Sequence, residues 1–594
     1  MVSGRAGPRG DRSIRDLIAR LLPSLRRYRR GLTVGVVCVV LTNAIALTQP
    51  YVLRLAVDDL YRGVTSDKLA RYALILLGIA ALAGVFKFLM RHFVIGISRH
   101  LENDLRNDLF AHLQTLPLEY YQRTRTGEIM SRATNDLSAV RMMLGPGIMY
   151  MVNTVTVAAV SIACMVAISP RLTLYSLLPL PLVSLTVWFF GDRIHRRFEA
   201  IQAQFAELSA RVQENLSGVR VIRAFAAEGR EVETFREMHQ EYLDRNQRLI
   251  RVWGVFYPML GFLSGLAALL ALYLGGREVV GGRITLGQFV AFTVYLGMLN
   301  WPVVALGWVI NLFQRGMASY RRIVDVLDVT PSIRSPMHAH RPAAVAGEIE
   351  FRNLTFTYPG ATRPAVRNLS LHVPAGRTVA LVGRTGSGKT TLISLVPRVF
   401  DPPPGTVFVD GVDVREWDLD ALRAGIALVP QETFLFSATL AENIGYGVDA
   451  AARDAVERAA RIARLDDDVS GFPAGYDTVV GERGITLSGG QRQRAAIARA
   501  IMRDAPVLML DDCLSSVDTQ TEAAILMGLR GEMRRRTSLL VSHRVSTVRD
   551  ADLIVVLDDG LAVERGTHDA LVALDGRYAE LDRQQQLEEE LEAS

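Results

Sequence analysis

Five stretches of this chain, each at least about twenty residues long, carry no charged side chain: Gly31–Leu53, Met142–Pro170, Leu172–Gly191, Val252–Gly276 and Ile284–Gln314. The hydrocarbon core of a bilayer takes ~20 helical residues to cross. A helix satisfies its own backbone hydrogen bonds there, so such stretches read as membrane-spanning helices. A sixth, Tyr72–Met90, is interrupted by Lys87. An ammonium in hydrocarbon is costly, so Lys87 is expected to snorkel; a wet cavity or a place past the bilayer edge are the other readings. The first stretch is long enough to remain in the membrane, and no signal-peptide cleavage pattern is evident.

The connections alternate in length. Arg91–Arg141 and Asp192–Arg251 are long, polar and helical in pattern, whereas Ser169-Pro170-Arg171 and Arg277–Arg283 are short. Both long connections are rich in arginine, which assigns them, and with them the N-terminus, to the cytoplasm. Seven arginines between Arg12 and Arg30 precede the first span. Ser13–Arg30 mixes Ile, Leu and Arg at helical spacing, which suits a helix on an anionic membrane surface; a solvated basic tail is the competing reading. The three cysteines, Cys38, Cys164 and Cys513, show no C-x-x-C spacing, so neither a zinc site nor a disulfide framework is indicated.

The C-terminal part differs in kind. A Pro/His/Arg-rich linker, 321–346, leads into 347–583, where short β-rich runs alternate with helical ones. Expected strands include Thr378–Val382, Ile426–Val429, Val507–Leu510, Ser538–Val541 and Leu553–Leu557. Positive charge in this chain comes from 64 arginines against three lysines. One of the three sits in Gly383-Arg384-Thr385-Gly386-Ser387-Gly388-Lys389-Thr390. Such a glycine-rich loop turns backbone N–H groups toward phosphates, and the helix that follows adds its positive end. A compact ammonium reaches between two phosphates where a planar guanidinium would not fit. Thr390 offers a hydroxyl to Mg²⁺, so a nucleoside triphosphate is the expected ligand.

Further motifs follow in order: Leu487-Ser488-Gly489-Gly490-Gln491, then Val507–Leu510 ending in Asp511-Asp512, Ser515–Asp518, and Ser542-His543-Arg544. This series resembles the ATP-binding-cassette ATPases. With six spans and two long cytoplasmic extensions before it, nearly the whole chain resembles the half-transporter ABC exporters. Thr124–Asp136 and the Asp-Asp pair suggest the MdlA/YheI-like multidrug subgroup. The fold implied is an α-helical polytopic membrane domain, 31–320, with six transmembrane helices and long cytoplasmic extensions, plus an α/β phosphate-loop ATPase domain. A basic amphipathic segment, 1–30, precedes them and an acidic tail, 584–594, follows.

The resemblance implies roles residue by residue. Tyr358 stacks on adenine. Gly383, Arg384, Thr385, Gly386, Ser387, Gly388, Lys389, Thr390 and Thr391 hold the nucleotide. Thr390, Asp511 and Gln431 place Mg²⁺, and His543 contacts the γ-phosphate. Leu487, Ser488, Gly489, Gly490 and Gln491 cap ATP held by another subunit, so the chain must dimerise. Gly127, Glu128 and Arg132 belong to a coupling segment, with Gly218–Phe225 the approach to a second. One position departs: Asp512 stands where the family usually has a Glu acting as general base. Asp is one methylene shorter, and a base must come within ~2.6–3.2 Å of the proton it takes.

The expected protein is an ATP-driven exporter half-subunit of a bacterial inner membrane, with N-terminus and ATPase cytoplasmic. Its cofactors are ATP and Mg²⁺, and its partners are the bilayer, a small amphipathic cargo and a second half-transporter, but no nucleic acid. A heterodimer in which this chain's own site hydrolyses weakly is the first reading. A homodimeric, fully hydrolytic exporter or lipid flippase is the alternative. A gated channel is weak because no large insertion separates linker and cassette, and a peptidase-type peptide exporter is disfavoured because residues 1–30 contain no Cys.

Overall fold

The computed structural model describes residues 13–481, 487–517 and 519–593. Residues 1–12 of the basic segment, Asp518 of the Ser515–Asp518 motif, and the side chains of 588–594 in the acidic tail lie outside the described residues. Two compact units emerge: Met1–Gln114 with Thr126–Val329, and Thr115–Arg125 with Thr330–Ser594.

In the first unit, α1 (Ile14–Arg27) begins where Ser13 accepts a hydrogen bond from the Asp16 N–H, with Asp16 in the positive first turn. Leu17 and Leu21 are buried, while Ile14, Ile18 and Leu22 form an exposed apolar stripe at i, i+4, i+8. Arg20 pairs with Asp328 at 2.5 Å. Six helices long and apolar enough to cross a membrane follow among the described residues: α2 (Arg29–Arg62), α3 (Ser66–Thr115), α4 (Thr126–Ile168), α5 (Pro170–Ser217), α6 (Glu228–Val280) and α7 (Leu286–Leu327). At 1.5 Å per residue they run roughly 50–80 Å, well beyond a ~30 Å hydrocarbon core. Lys87 lies on the exposed surface of α3.

The short connections are helix caps. Ser169 accepts from the Leu172 N–H and Pro170 takes the first position of α5, where its missing N–H costs nothing. Thr285 and Gln288 form a capping box before α7. There Asp58 of α2 accepts from Thr285 Oγ1 and from the Gly287 N–H, both at 2.8 Å, placing a carboxylate on the positive helix end. The longer connection between α5 and α6 carries a short exposed helix, Val219–Ala224, with Val221 and Phe225 facing out. Below it α5 and α6 run antiparallel, tied by Gln204 to the Met238 carbonyl, Arg245 to the Ala200 carbonyl, and Arg211 to Glu231.

Helix α4 contains two π-turns, Arg132–Asp136 and Met143–Gly147. The second holds Pro146, which has no N–H to give the helical ladder. The first sets Asp136 against α7, where Arg322 grips it through two nitrogens and also donates to Ser319 Oγ. Asp136 is buried and Arg322 half-exposed. Removing the acid leaves a guanidinium facing a buried gap. We expect Asp136→Ala to lower the stability of the detergent-solubilised protein by about 1–2 kcal/mol. A double-mutant cycle with Arg322→Ala should recover most of that coupling; additive losses would mean the pair contributes nothing.

The second unit carries two sheets, with ten strands among the described residues: β1 (Ile349–Phe356), β2 (Val366–Val373), β3 (Thr378–Val382), β4 (Val407–Val409), β5 (Val412–Asp413), β6 (Ile426–Val429), β7 (Val507–Asp511), β8 (Thr537–Val541), β9 (Leu553–Asp558) and β10 (Leu561–Gly566). The orders are β2-β1-β4-β5 and β10-β9-β3-β8-β7-β6. Strands β9, β3, β8, β7 and β6 are parallel neighbours. Strands β3, β7 and β8 are buried at every position, as a parallel sheet covered on both faces requires.

Helix α7 continues to Leu327, so the first residues of the stretch read as linker, 321–327, are helical. The rest of that stretch is tied down near its middle: the His340 N–H donates to the Glu416 carbonyl, its ring meets buried Trp417 edge-on, and Arg341 pairs with Asp418. The acidic tail is likewise the end of a longer helix, Arg577–Ala593.

Candidate nucleotide site

Neighbouring parallel strands bring the motifs to one edge of the large sheet. Leu381 of β3 stands beside Val541 of β8, Val541 beside Asp511 of β7, and Leu510 beside Val429 of β6. The segments that leave these carboxyl ends carry the phosphate loop, His543, Asp512 and Gln431. A ligand crevice is expected at such an edge of an open α/β sheet.

The loop turns from β3 into α8 (Lys389–Leu395). Gly383 has φ +149°, and a Cβ there would lie 2.1 Å from the Leu557 carbonyl oxygen. Gly388 has φ +101°, and a Cβ there would lie 2.5 Å from the Ala365 carbonyl oxygen, so both positions require glycine. Lys389 Nζ curls into the loop, donating to the Gly383 and Arg384 carbonyls at 2.7 and 2.8 Å and to Ser387 Oγ at 3.4 Å. Burial lowers its pKa, and Asp512 and Asp511 oppose that shift. Arg384, Thr385 and Gly386 are exposed at the loop's outer side. Tyr358 is half-buried; its hydroxyl shares a 2.9 Å hydrogen bond with Thr391 Oγ1, and its ring meets Phe356 and Phe400 edge-on.

Thr390 Oγ1 donates to Asp511 Oδ1 at 3.1 Å. Asp511 is only 2% exposed, and burial raises its pKa, with Asp512 adding to the shift against the Thr390 hydrogen bond. A buried carboxylate beside a hydroxyl is a hard-oxygen pair that fits Mg²⁺. Among the described residues no group of three or more His, Cys, Asp or Glu forms a metal cage. A Mg²⁺ held here would take its other ligands from phosphate and water. Gln431, two residues past β6, is exposed.

Asp512 sits at φ +46°, a left-handed conformation that a non-glycine residue adopts at some cost. Its Oδ1 lies 2.7 Å from His543 Nδ1. That hydrogen bond raises the His543 pKa, with burial opposing. The imidazolium is therefore favoured below the raised value, and the charged pair is lost as pH climbs through it. Ser515 Oγ donates to the Asp512 carbonyl at 3.1 Å. Cys513 beside it is buried, its thiol pushed up to about 12 by burial, which makes it inert.

The Leu487–Gln491 segment opens α9 (Gly489–Met502) with a capping box: Ser488 Oγ accepts from the Gln491 N–H, and Gln491 Oε1 from the Ser488 N–H. Gln491 also donates to Asp468 Oδ1. Leu487 is buried. A Cβ on Gly490 would stand 3.1 Å from the Ser516 carbonyl. Gln493 links the two motifs, donating to Ser515 Oγ at 3.1 Å and accepting from the Ser516 N–H at 3.0 Å. Sequence reading missed Gln493; nothing marks it in the helical pattern except a polar residue on a face that turns out buried. In the membrane unit, Glu128 and Arg132 pair at 2.5 Å on the first turns of α4, and Gly127 is exposed beside them.

The comparisons agree with this geometry. Residues 32–303 match the ABC transporter transmembrane region family and residues 366–515 the ABC transporter family. The chain is 38% identical over 566 residues to the probable multidrug resistance ABC transporter ATP-binding/permease protein YheI of Bacillus subtilis, covering 95% of this chain and 96% of that one. It is 37% identical over 581 residues to the multidrug resistance-like ATP-binding protein MdlA of Escherichia coli, covering 97% and 98%. A bacterial Atm1-family ABC exporter solved with ATP bound superposes with a TM-score of 0.76 at 29% identity, covering 94% of this chain and 98% of that one. A polytopic helical unit and a phosphate-loop ATPase fused in one chain, matched end to end by such relatives, make this protein a member of the ABC transporter family, a half-transporter of the exporter type.

Proposed function

We propose that this chain is one half of an ATP-driven exporter that moves amphipathic molecules out of the cytoplasm or inner leaflet of a bacterial inner membrane. In this reading it pairs with a second half-transporter, and its own site binds Mg-ATP but hydrolyses it weakly. Lys389 and the loop amides would hold the β- and γ-phosphates, Thr390, Asp511 and Gln431 would place Mg²⁺, and Tyr358 would meet the adenine. Leu487–Gln491 caps ATP held by the partner. Bound Mg²⁺ would supply charge neutralisation at the phosphates. Gly127, Glu128, Arg132 and the exposed helix Val219–Ala224 would pass ATP-driven closure to the spans.

The observation that carries the asymmetric reading is Asp512. Its carboxylate is one methylene short of the usual base, it sits on a strained backbone, and one oxygen is engaged by His543. The same 2.7 Å contact favours the homodimeric alternative, because it keeps the carboxylate coupled to the γ-phosphate residue. Purifying the tagged chain from its native membranes separates the two. A co-purifying half-transporter with Glu at the position of Asp512 supports the heterodimer; recovery of this chain alone, in dimeric form, overturns it.

Topology has its own test. A cysteine at Gly127, in a variant lacking the native thiols, should react with a membrane-impermeant thiol reagent only after cells are opened. Labelling in intact cells would reverse the assigned orientation.

A further inference from the structure

The last helix, α10 (Arg577–Ala593), begins with Tyr578 buried in the ATPase core. A cavity of about 270 Å³ lies along it, lined on one side by Gly383, Arg384 and His543 and on the other by Tyr578, Glu580 and Gln584. Just past this cavity the Gln585 side chain reaches the loop that carries His543. Its Nε2 donates to the His543 carbonyl at 2.6 Å, and its Oε1 accepts from the Val545 N–H at 2.7 Å. One amide therefore brackets the backbone on both sides of Arg544. Arg544 itself is anchored on buried Glu522, which also accepts from Thr547 Oγ1. The loop is thus fixed from two directions, and the His543 ring is left 52% exposed, oriented among the described residues by Asp512.

We propose that Gln585 is a positioning residue for His543, making the C-terminal helix part of the γ-phosphate sensor and not a solvated tail. A primary amide is the side chain that donates to one backbone group and accepts from another in one plane. Without it, the His543 backbone gains freedom and the ring no longer waits at a fixed distance from the phosphate. The inference rests on the reading of His543 as the γ-phosphate contact.

The test measures nucleotide preference at this chain's own site, through photo-crosslinking of 8-azido-ATP against 8-azido-ADP to this polypeptide in the full-length assembly. Gln585→Met keeps length and shape but loses both hydrogen bonds. It should lower the ATP-over-ADP preference by ~3- to 10-fold while ADP labelling holds. Gln586→Met is the control, because among the described residues the Gln586 amide bonds Asp582 of its own helix. It should leave the preference unchanged. Equal loss in both variants, or a fall in ADP labelling with ATP labelling, would reduce Gln585 to a helix stabiliser and overturn the proposal. His543→Ala separates the two readings. If it removes the preference and Gln585→Met does not, the positioning role fails alone. If His543→Ala leaves the preference intact, the γ-phosphate reading fails and takes this inference with it.

Discussion

Ser488→Arg or Gly489→Asp will stop ATP hydrolysis by the assembled transporter, while Asp512→Asn will lower it only mildly. The contrast follows from where each residue acts. Ser488 caps the signature helix and Gly489 is its first residue, in the turn whose N–H groups have no backbone partner within the helix. In the proposed dimer that helix end meets the γ-phosphate of the partner's ATP. Arginine at Ser488 removes the cap, worth about 1 kcal/mol, and fills the approach with a long side chain. Aspartate at Gly489 sets a carboxylate against phosphate and stands near the Ser516 Cβ, 3.4 Å from the position of a new Cβ. Either change disables the partner's competent site. In the proposed dimer Asp512 would serve this chain's own site, where the shorter carboxylate would have to recruit water across roughly one more bond length. General-base catalysis contributes ~10²–10⁴-fold, so a working base could not be amidated with mild effect. The measurement is steady-state hydrolysis at saturating Mg-ATP, with and without any partner. Brisk hydrolysis by this chain alone, silenced by Asp512→Asn, would sink the asymmetric dimer and leave the homodimeric exporter standing.

Much of this was legible in the sequence, for different reasons in the two units. The spans were readable because hydrocarbon excludes charge, so Gly31–Leu53 and its successors announce themselves by what they lack. Their helices run far past the apolar runs. Leu180–Ser217 and Glu228–Val280 continue as polar helices because they bury one face against each other, a packing that hydropathy does not register. In the ATPase unit, Thr378–Val382 and Ile426–Val429 form strands at the limits read from their apolar runs. Strand β10 did not stand out because it is an edge: its positions alternate between exposed and half-buried, and Glu564 and Arg565 interrupt any apolar run. The nucleotide motifs were legible because phosphate binding fixes spacing along the chain. The supports of those motifs were not. Gln493, Glu522 and Gln585 act from distant positions, and only the folded chain shows that they converge on Ser515, Arg544 and His543. The same holds for Asp136 and Arg322, whose pairing depends on a π-turn that no pattern in Arg132–Asp136 signals.

Lys389→Ala should abolish photo-crosslinking of 8-azido-ATP to this chain. The ammonium now satisfies two loop carbonyls and the Ser387 hydroxyl, which holds the loop in shape without nucleotide. When triphosphate enters, the same group is close enough to trade those oxygens for phosphate oxygens. Its burial makes that trade favourable, since burial penalises the charge by more than nearby Asp512 and Asp511 offset, and the arriving anion removes the penalty. Alanine removes the cation and leaves two carbonyls directed toward the space the phosphates need. Two charge-assisted hydrogen bonds lost amount to about 3–6 kcal/mol, or more than a hundredfold in affinity. Lys389→Arg is the stricter variant, because it keeps the charge. A planar guanidinium has no room between carbonyls of a loop drawn tight by Gly383 and Gly388, so arginine should fail nearly as badly. Full labelling with arginine but none with alanine would mean the site needs charge alone and not the compact ammonium. Unchanged labelling and transport with alanine would show that nucleotide binds elsewhere.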